Sequence, residues 1–524
     1  MRCVRTLKPP NDTIFIMKKI ISIFIALLFC ITTNAQSDLP LTIEDPKMDT
    51  YLQNRQTATL TIQINNAPDS VKKVNVKCTF VTFGSDFQTV KYYTTNSDGF
   101  VKITLKQNLP YQQIWLSVGD YLYAGVYVNT DLKVMIHANE IKNKDGISFI
   151  GDGVTYSSFD GELNTVMNKH ILYKQEEQNN LTGKLSELCQ TRKNYTDDLF
   201  LKKTDSIWQA LNRINNEFIQ QYPKYGWAIN NETASEFYGS LCASYWYDTL
   251  PINLSSKINN HKPYFTSNDG VLFYSYLSTY QGVKAHDIVN NIKMIDSIYS
   301  EPRADILKTF LLAKGKDSFA LTYPEILNSI KTAWCKKLVA NELNETTIKQ
   351  KKIDSLLASA KQLNNTDAFI GTPIEQLPFD ASLYKLDSIK NVNDFIVNLK
   401  SKFQNKALII DFWATWCGPC LQDLPFSKKL HEANKDLPVE YIYICTNSLS
   451  KIDIWKNKIA GLQLPGTHIF MDEKIVEELK SSFDNAGSGF PTYVVINTNG
   501  KLRPNAIHGM QSLDRDKLKD AVGL

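Results

Sequence analysis

At 524 residues, 43% of them hydrophobic and 21% charged, the chain has ordinary globular composition and apolar material for about three domains. The formal net charge of +4 sits in residues 1–35, where Arg2, Arg5, Lys8, Lys18 and Lys19 stand against Asp12, so the remainder is neutral by this count. That balance excludes a broad basic footprint, and no nucleic-acid partner is expected.

Lys18 and Lys19 follow Met17 and precede an apolar run from Ile20 to Ile31, which closes on small and polar residues ending at Ala35. This is the layout of a secretory signal peptide over residues 1–35, cut after Ala35. The run is short for a membrane span of about 20 residues, although a permanent anchor is the rival reading. A lipoprotein signal would want a small residue before Cys30, where Phe29 stands. The expected location is the periplasm or cell envelope. Beyond Ala35 the chain keeps Cys78, Cys189, Cys242, Cys335, Cys417, Cys420 and Cys445. A large, cysteine-poor exported chain does not read as a disulfide-stapled scaffold. Its single closely spaced pair therefore points to working chemistry.

Residues 36–150 read as an antiparallel β-sandwich module. "ATLTIQI" (58–64), "KVNVKCTF" (73–80) and "FVKITL" (100–105) alternate apolar and polar residues, and "YLYAGVYV" and "LKVMIHA" follow. Between 151 and 365 the period becomes helical: Ile207, Leu211, Ile214 and Phe218 recur at spacings of three and four. The aromatic stretch "EFYGSLCASYWY" (236–247) reads as core, and Cys189, Cys242 and Cys335 as buried thiols without ligand spacing. "NNTDAFIGTPIEQLPFD" (364–380) reads as a linker. From 366 to 524 strands and helices alternate: "KALIIDFWA" and "VEYIYICTN" as buried strands, "KIDIWKNKIAGL" and "EKIVEELKSSF" as helices. A hairpin turning at "NTNG" and a last helix complete an α/β unit.

Within that unit stands "DFWATWCGPC" (411–420). A zinc ribbon would need a second cysteine pair or histidines at fixed spacing. A CxxC after a buried strand, opening a helix, reads instead as a thioredoxin-like redox motif. Cys417 falls at the helix N-terminus, where free N–H groups favour a thiolate, and Cys420 lies on the same face. Pro419 suits the first turn, and Gly418 leaves no side chain beside the sulfurs.

"DFWATWCGPC" followed by "GFPTYVVI" (489–496) resembles the thioredoxin superfamily. "FIGTPIEQLPF" and "CLQDLP" narrow the resemblance to TlpA/ResA-like thiol-disulfide oxidoreductases, over residues 366–524. Residues 36–150 are similar to the β module found ahead of such domains. The resemblance implies a thioredoxin-like fold with Cys417 as nucleophile, Cys420 as resolving thiol and Pro491 as the cis-proline facing the disulfide. Trp416, Gly418, Pro419, Phe490 and Thr492 would form the substrate-facing surface. Asp411 matches a buried aspartate able to take the proton of Cys420. Asp423 stands where the family commonly has glutamate, one methylene longer; a solvated helix residue is its other reading. No cofactor and no metal are implied. The implied partners are disulfide-bearing envelope proteins, including apocytochromes, with a membrane thiol carrier of the DsbD/CcdA type as electron donor. A disulfide oxidase or isomerase, and an envelope scaffold with a secondary redox domain, remain the rival readings. A peroxiredoxin would need threonine three residues before its cysteine, whereas Thr415 is two before Cys417.

Overall fold

Period-2 burial builds the amino-terminal sheets, and continuous burial builds the carboxy-terminal one. The computed structural model describes residues 39–67, 73–106, 109–141, 153–283, 285, 287–314, 319–363, 369–485 and 487–524. The leader expected over residues 1–35 lies outside them. The chain divides into two compact units, Met1–Ala340 and Asn341–Leu524.

In the first unit, α1 (Met48–Asn54) precedes β1 (Thr59–Asn65), β2 (Asn75–Val81), β3 (Gln88–Thr94), β4 (Phe100–Thr104), β5 (Gln112–Val118), β6 (Leu122–Val128), β7 (Asp131–His137) and β8 (Val154–Ser157). They make two four-stranded sheets, ordered β4-β1-β7-β8 and β3-β2-β5-β6. Alternate residues from both sheets, among them Leu60 and Ile62, Val76 and Cys78, and Val134 and Ile136, enter one apolar core. The pairing differs from the antiparallel expectation once: β1 runs parallel to β7, with Leu60 opposite Leu132. A parallel pair needs a long crossover, and β2 to β6 supply it. Three strands were not named from the sequence, for separate reasons. β3 is exposed along most of its length, β5 is buried on nearly every residue, and β8 has four residues.

Helices follow: α2 (Gly161–Leu172), α3 (Gln175–Gln190), α4 (Asp197–Ile219), α5 (Gly226–Ser244), α6 (Ile252–Asn260), α7 (Asn268–Gly282), α8 (Ile288–Ile298), α9 (Arg303–Thr309), α10 (Leu311–Lys314), α11 (Phe319–Ser329) and α12 (Ala333–Ala358). Thr196 caps α4 by accepting the Leu199 N–H, and α4 buries Ile207, Leu211, Ile214 and Phe218 as its spacing predicts. Phe237, Leu241, Cys242 and Tyr245 are core residues. Cys242 and Cys335 are buried and unpaired, and burial pushes the Cys242 thiol up to about 12.

In the second unit, β9 (Lys361–Gln362), β10 (Thr372–Leu377), β11 (Ala381–Leu386), α13 (Val392–Lys402), β12 (Ala407–Trp413), α14 (Gly418–Ala433), β13 (Val439–Thr446), α15 (Ile452–Leu462), β14 (Gly466–Met471), α16 (Glu473–Ser482), β15 (Thr492–Ile496), β16 (Leu502–Arg503) and α17 (Arg515–Val522) form one layered assembly. Its sheet has the order β16-β15-β12-β13-β14-β11-β10-β9, with β12 parallel to β13 and antiparallel to β15. Every residue of β12 is buried, and its side chains serve two cores. Ala407, Ile409 and Trp413 join the cluster that contains Cys417, Cys420 and Tyr443. Leu408, Ile410 and Phe412 join the cluster on the opposite face. The end of α12 belongs here too: a Cβ at Gly461 of α15 would come within 3.2 Å of Ile353.

Two elements correct the sequence expectation. Part of the stretch expected as linker is strand β10, paired antiparallel to β11. Between the two expected helices lies the fully buried strand β14, which carries His468 in its middle. A buried histidine breaks the apolar signature by which such a strand is recognised.

Candidate active site

From the end of β12 the chain turns into α14, whose N-cap is Cys417. The Cys417 Sγ accepts the Cys420 backbone N–H at 3.2 Å. Sulfur thus occupies the place of a capping oxygen, where unpaired N–H groups and the helix dipole favour negative charge. Cys417 and Cys420 are joined as a disulfide, with their Cα atoms 5.3 Å apart. Both are buried, Cys420 the deeper. Pro419 occupies the first turn. A Cβ at Gly418 would meet no atom within 4 Å, so the space on its outer side is open.

Trp416, 52% exposed, is the apolar surface next to the pair. Its Nε1 donates to the Ser448 carbonyl at 2.8 Å, and Ser450 Oγ lies 3.0 Å from Thr415 Oγ1, so the loop after β13 holds both residues. The Trp416 ring meets Phe490 edge to face at 6.0 Å. The peptide between Phe490 and Pro491 is cis. Thr492 is buried and donates its hydroxyl to the Gly489 carbonyl at 2.6 Å. Its side chain therefore secures the turn before Pro491.

Asp411 occupies an odd position of β12, with Ile409 and Trp413, and so lies on the sheet face that carries the disulfide. It is 3% exposed, and its Oδ1 finds no hydrogen-bond partner among the described residues. Burial, reinforced by Asp423, holds its carboxyl well above the usual carboxylate range. Asp423 is buried, which removes its alternative reading as a solvated helix residue. It accepts the Tyr493 hydroxyl at 2.5 Å, the Met510 N–H at 2.7 Å and the Gln511 N–H at 3.1 Å. Both of its oxygens are thus engaged by the chain itself.

The sequence reading missed the tyrosines around these acids. Tyr493 pairs with Asp411 across β15 and β12, and Tyr443 pairs with it across β13. The Tyr443 hydroxyl lies 2.8 Å from Ser427 Oγ. Burial raises both phenols, and the Asp411 charge adds to each shift. Their signal is strand register, which composition does not reveal. Cys445, on the same cluster, is a buried thiol with its pKa raised by burial. Among the described residues no group of three or more His, Cys, Asp or Glu is arranged to hold a metal, and no helix is long and apolar enough to cross a membrane.

A family profile described as Redoxin matches residues 388–522. Mitochondrial thioredoxin-3 of Saccharomyces cerevisiae is 37% identical over 65 residues, 12% of this chain and 49% of that protein. Thiol-disulfide oxidoreductase ResA of Oceanobacillus iheyensis is 26% identical over 127 residues, 22% of this chain and 56% of that protein. The chain spans about half the length of these curated relatives. Among solved structures, the thioredoxin domain of a thiol-disulfide oxidoreductase from Bacteroides vulgatus is 22% identical, covering 24% of this chain and 81% of that one, with a TM-score of 0.20.

Proposed function

Residues 388–522 being a TlpA/ResA-like domain of the thioredoxin superfamily, we propose that the chain is an exported thiol-disulfide oxidoreductase that reduces disulfides of envelope proteins. The observation that carries this reading is the Cys417 sulfur capping α14 within bonding distance of Cys420. In the reduced protein the Cys417 thiolate attacks one sulfur of a substrate disulfide and expels the other as a thiolate. Cys420 then gives its proton to Asp411 and attacks Cys417 in the mixed disulfide, expelling the second substrate sulfur as a thiolate. Two electrons pass to the substrate, and the domain is left in the disulfide form.

In this reading Trp416, Phe490, Gly418 and Pro419 face the substrate, and the backbone beside cis-Pro491 pairs with it. Asp423 acts through the Tyr493 network and not by direct attack. A membrane thiol carrier of the DsbD/CcdA type returns the electrons, and the protein works in the periplasm or cell envelope behind a signal peptide. Residues 36–150 serve as a β module and the helices that follow, up to Ala340, as a helical region ahead of the redox unit.

Cys420→Ser is the direct test. Substrate proteins should stay covalently attached to Cys417 and be released by dithiothreitol; an empty trap removes the reading. A midpoint of about −270 mV fits a reductant, and one of about −120 mV would make the protein an oxidase.

A further inference from the structure

Lysine is almost never fully buried without partners, and near a helix C-terminus it ordinarily reaches for water. Lys480, in the last turn of α16, is 1% exposed. Its ammonium is used in three directions. Nζ donates to Glu477 Oε1 at 3.0 Å, donates to the Ser488 carbonyl, and lies 4.8 Å from the centre of the Phe490 ring. Two of the three directions belong to the segment that leads into cis-Pro491.

Phe490 itself packs, partly buried, against the cores on both faces of the sheet, but the residues before it carry little packing of their own. Gly487 has φ +69°, and Cβ atoms at Gly487 and Gly489 would meet nothing within 4 Å. Glycines without packing leave a loop with many conformations to lose. Among the described residues its other hydrogen bonds are short and local: Asn485 N–H to the Lys480 carbonyl, Asn485 Nδ2 to the Phe483 carbonyl, Ser488 N–H and Oγ to the Asn485 carbonyl, and Thr492 Oγ1 to the Gly489 carbonyl and to Ser488 Oγ. The aromatic contact with Trp416 begins at the ring that Lys480 holds.

We propose that Lys480 is the positioning residue of the substrate-facing loop, its buried ammonium fixing Ser488 and the Phe490 ring so that Phe490 meets Trp416 beside the disulfide. The inference rests on the reductase reading. It makes the lysine a determinant of affinity for protein substrates, which span the loop, and much less so for small disulfides, which reach Cys417 without it.

The experiment uses the full chain with dithiothreitol as reductant and compares insulin with the small aromatic disulfide of Ellman's reagent. Lys480→Met keeps the length and removes charge and donors. It should raise KM for insulin about tenfold, the worth of one charge-assisted hydrogen bond, with the loss falling on KM and not on kcat. Lys480→Arg should recover most of the affinity. If Lys480→Met does not fold, Lys480→Gln keeps one N–H for the Ser488 carbonyl and should show a smaller rise in the same direction. An unchanged KM for insulin, an equal loss on both substrates, or no recovery by arginine overturns the positioning role while leaving the reductase reading intact. A wild-type protein that reduces neither substrate overturns both.

Discussion

Asp411 stands inside a strand otherwise made of Ala, Leu, Ile, Phe and Trp, and one of its oxygens has no hydrogen-bond partner among the described residues. The fold holds the Asp411 proton more tightly than an unfolded chain does, so stability falls as pH rises from the ordinary 3.8 toward the folded value and stays reduced above it. Asp411→Asn removes that cost. Urea denaturation should show the variant more stable at pH 8 by about 1–3 kcal/mol, with the gap narrowing toward pH 4. The same change should slow resolution of the mixed disulfide about 100-fold, measured by rapid quench, because the proton acceptor is gone. A more stable and slower protein is the paired outcome; a less stable variant would refute the burial argument. Cys417, Cys420, Asp411 and Pro491 could be picked out in advance because motif spacing and strand position are local properties of the chain. Tyr493 and Lys480 could not, since each meets the site through contacts that only the folded register creates.

At the scale of elements, Asp423 joins α14 to the turn at Met510–Ser512 and to β15. Asp423→Ala leaves two backbone donors and a phenol unanswered, which should cost about 2–4 kcal/mol in urea denaturation. Asp423→Asn keeps an acceptor and should recover about half of that. Strand β14 carries the element-level pH response. His468 is fully buried, stacks on Tyr443 at 4.8 Å and lies 2.9 Å through Nε2 from the Leu464 carbonyl. Burial brings its pKa down from 6.5 to about 3. The unfolded chain gains this proton first, so stability should fall by about 1.4 kcal/mol for each pH unit below 6.5 from this residue alone. His468→Gln should flatten that slope between pH 6 and 4. An element with one strong period, such as α4, or an unbroken apolar run, such as β12, was legible in the sequence. β10 and β14 were not: prolines and turn residues mask the first, and a histidine inside six buried positions masks the second.

For the whole molecule, the division at Ala340 and Asn341 falls inside α12, earlier than the change of pattern near 366 suggests. Ile353 is buried, Leu357 packs on the disulfide-side core, and Gln350 bonds Asn457 at 3.3 Å. A fragment beginning at 341 should therefore unfold cooperatively, and one beginning at 366 should be less stable by about 3 kcal/mol from the loss of these two side chains. Calorimetry of the two fragments decides it, and equal stabilities would place the boundary at 366. The parallel pairing of β1 with β7 has a consequence of its own. As the chain is threaded out amino end first, β1 gains β4 on one flank only after Phe100–Thr104 has emerged, and its other edge stays bare until Asp131–His137 arrives. For the time it takes some seventy residues to appear, a strand with one apolar face and an unpaired edge waits beside its neighbours on other nascent chains. A holding chaperone at the exit would act longest on this part of the molecule.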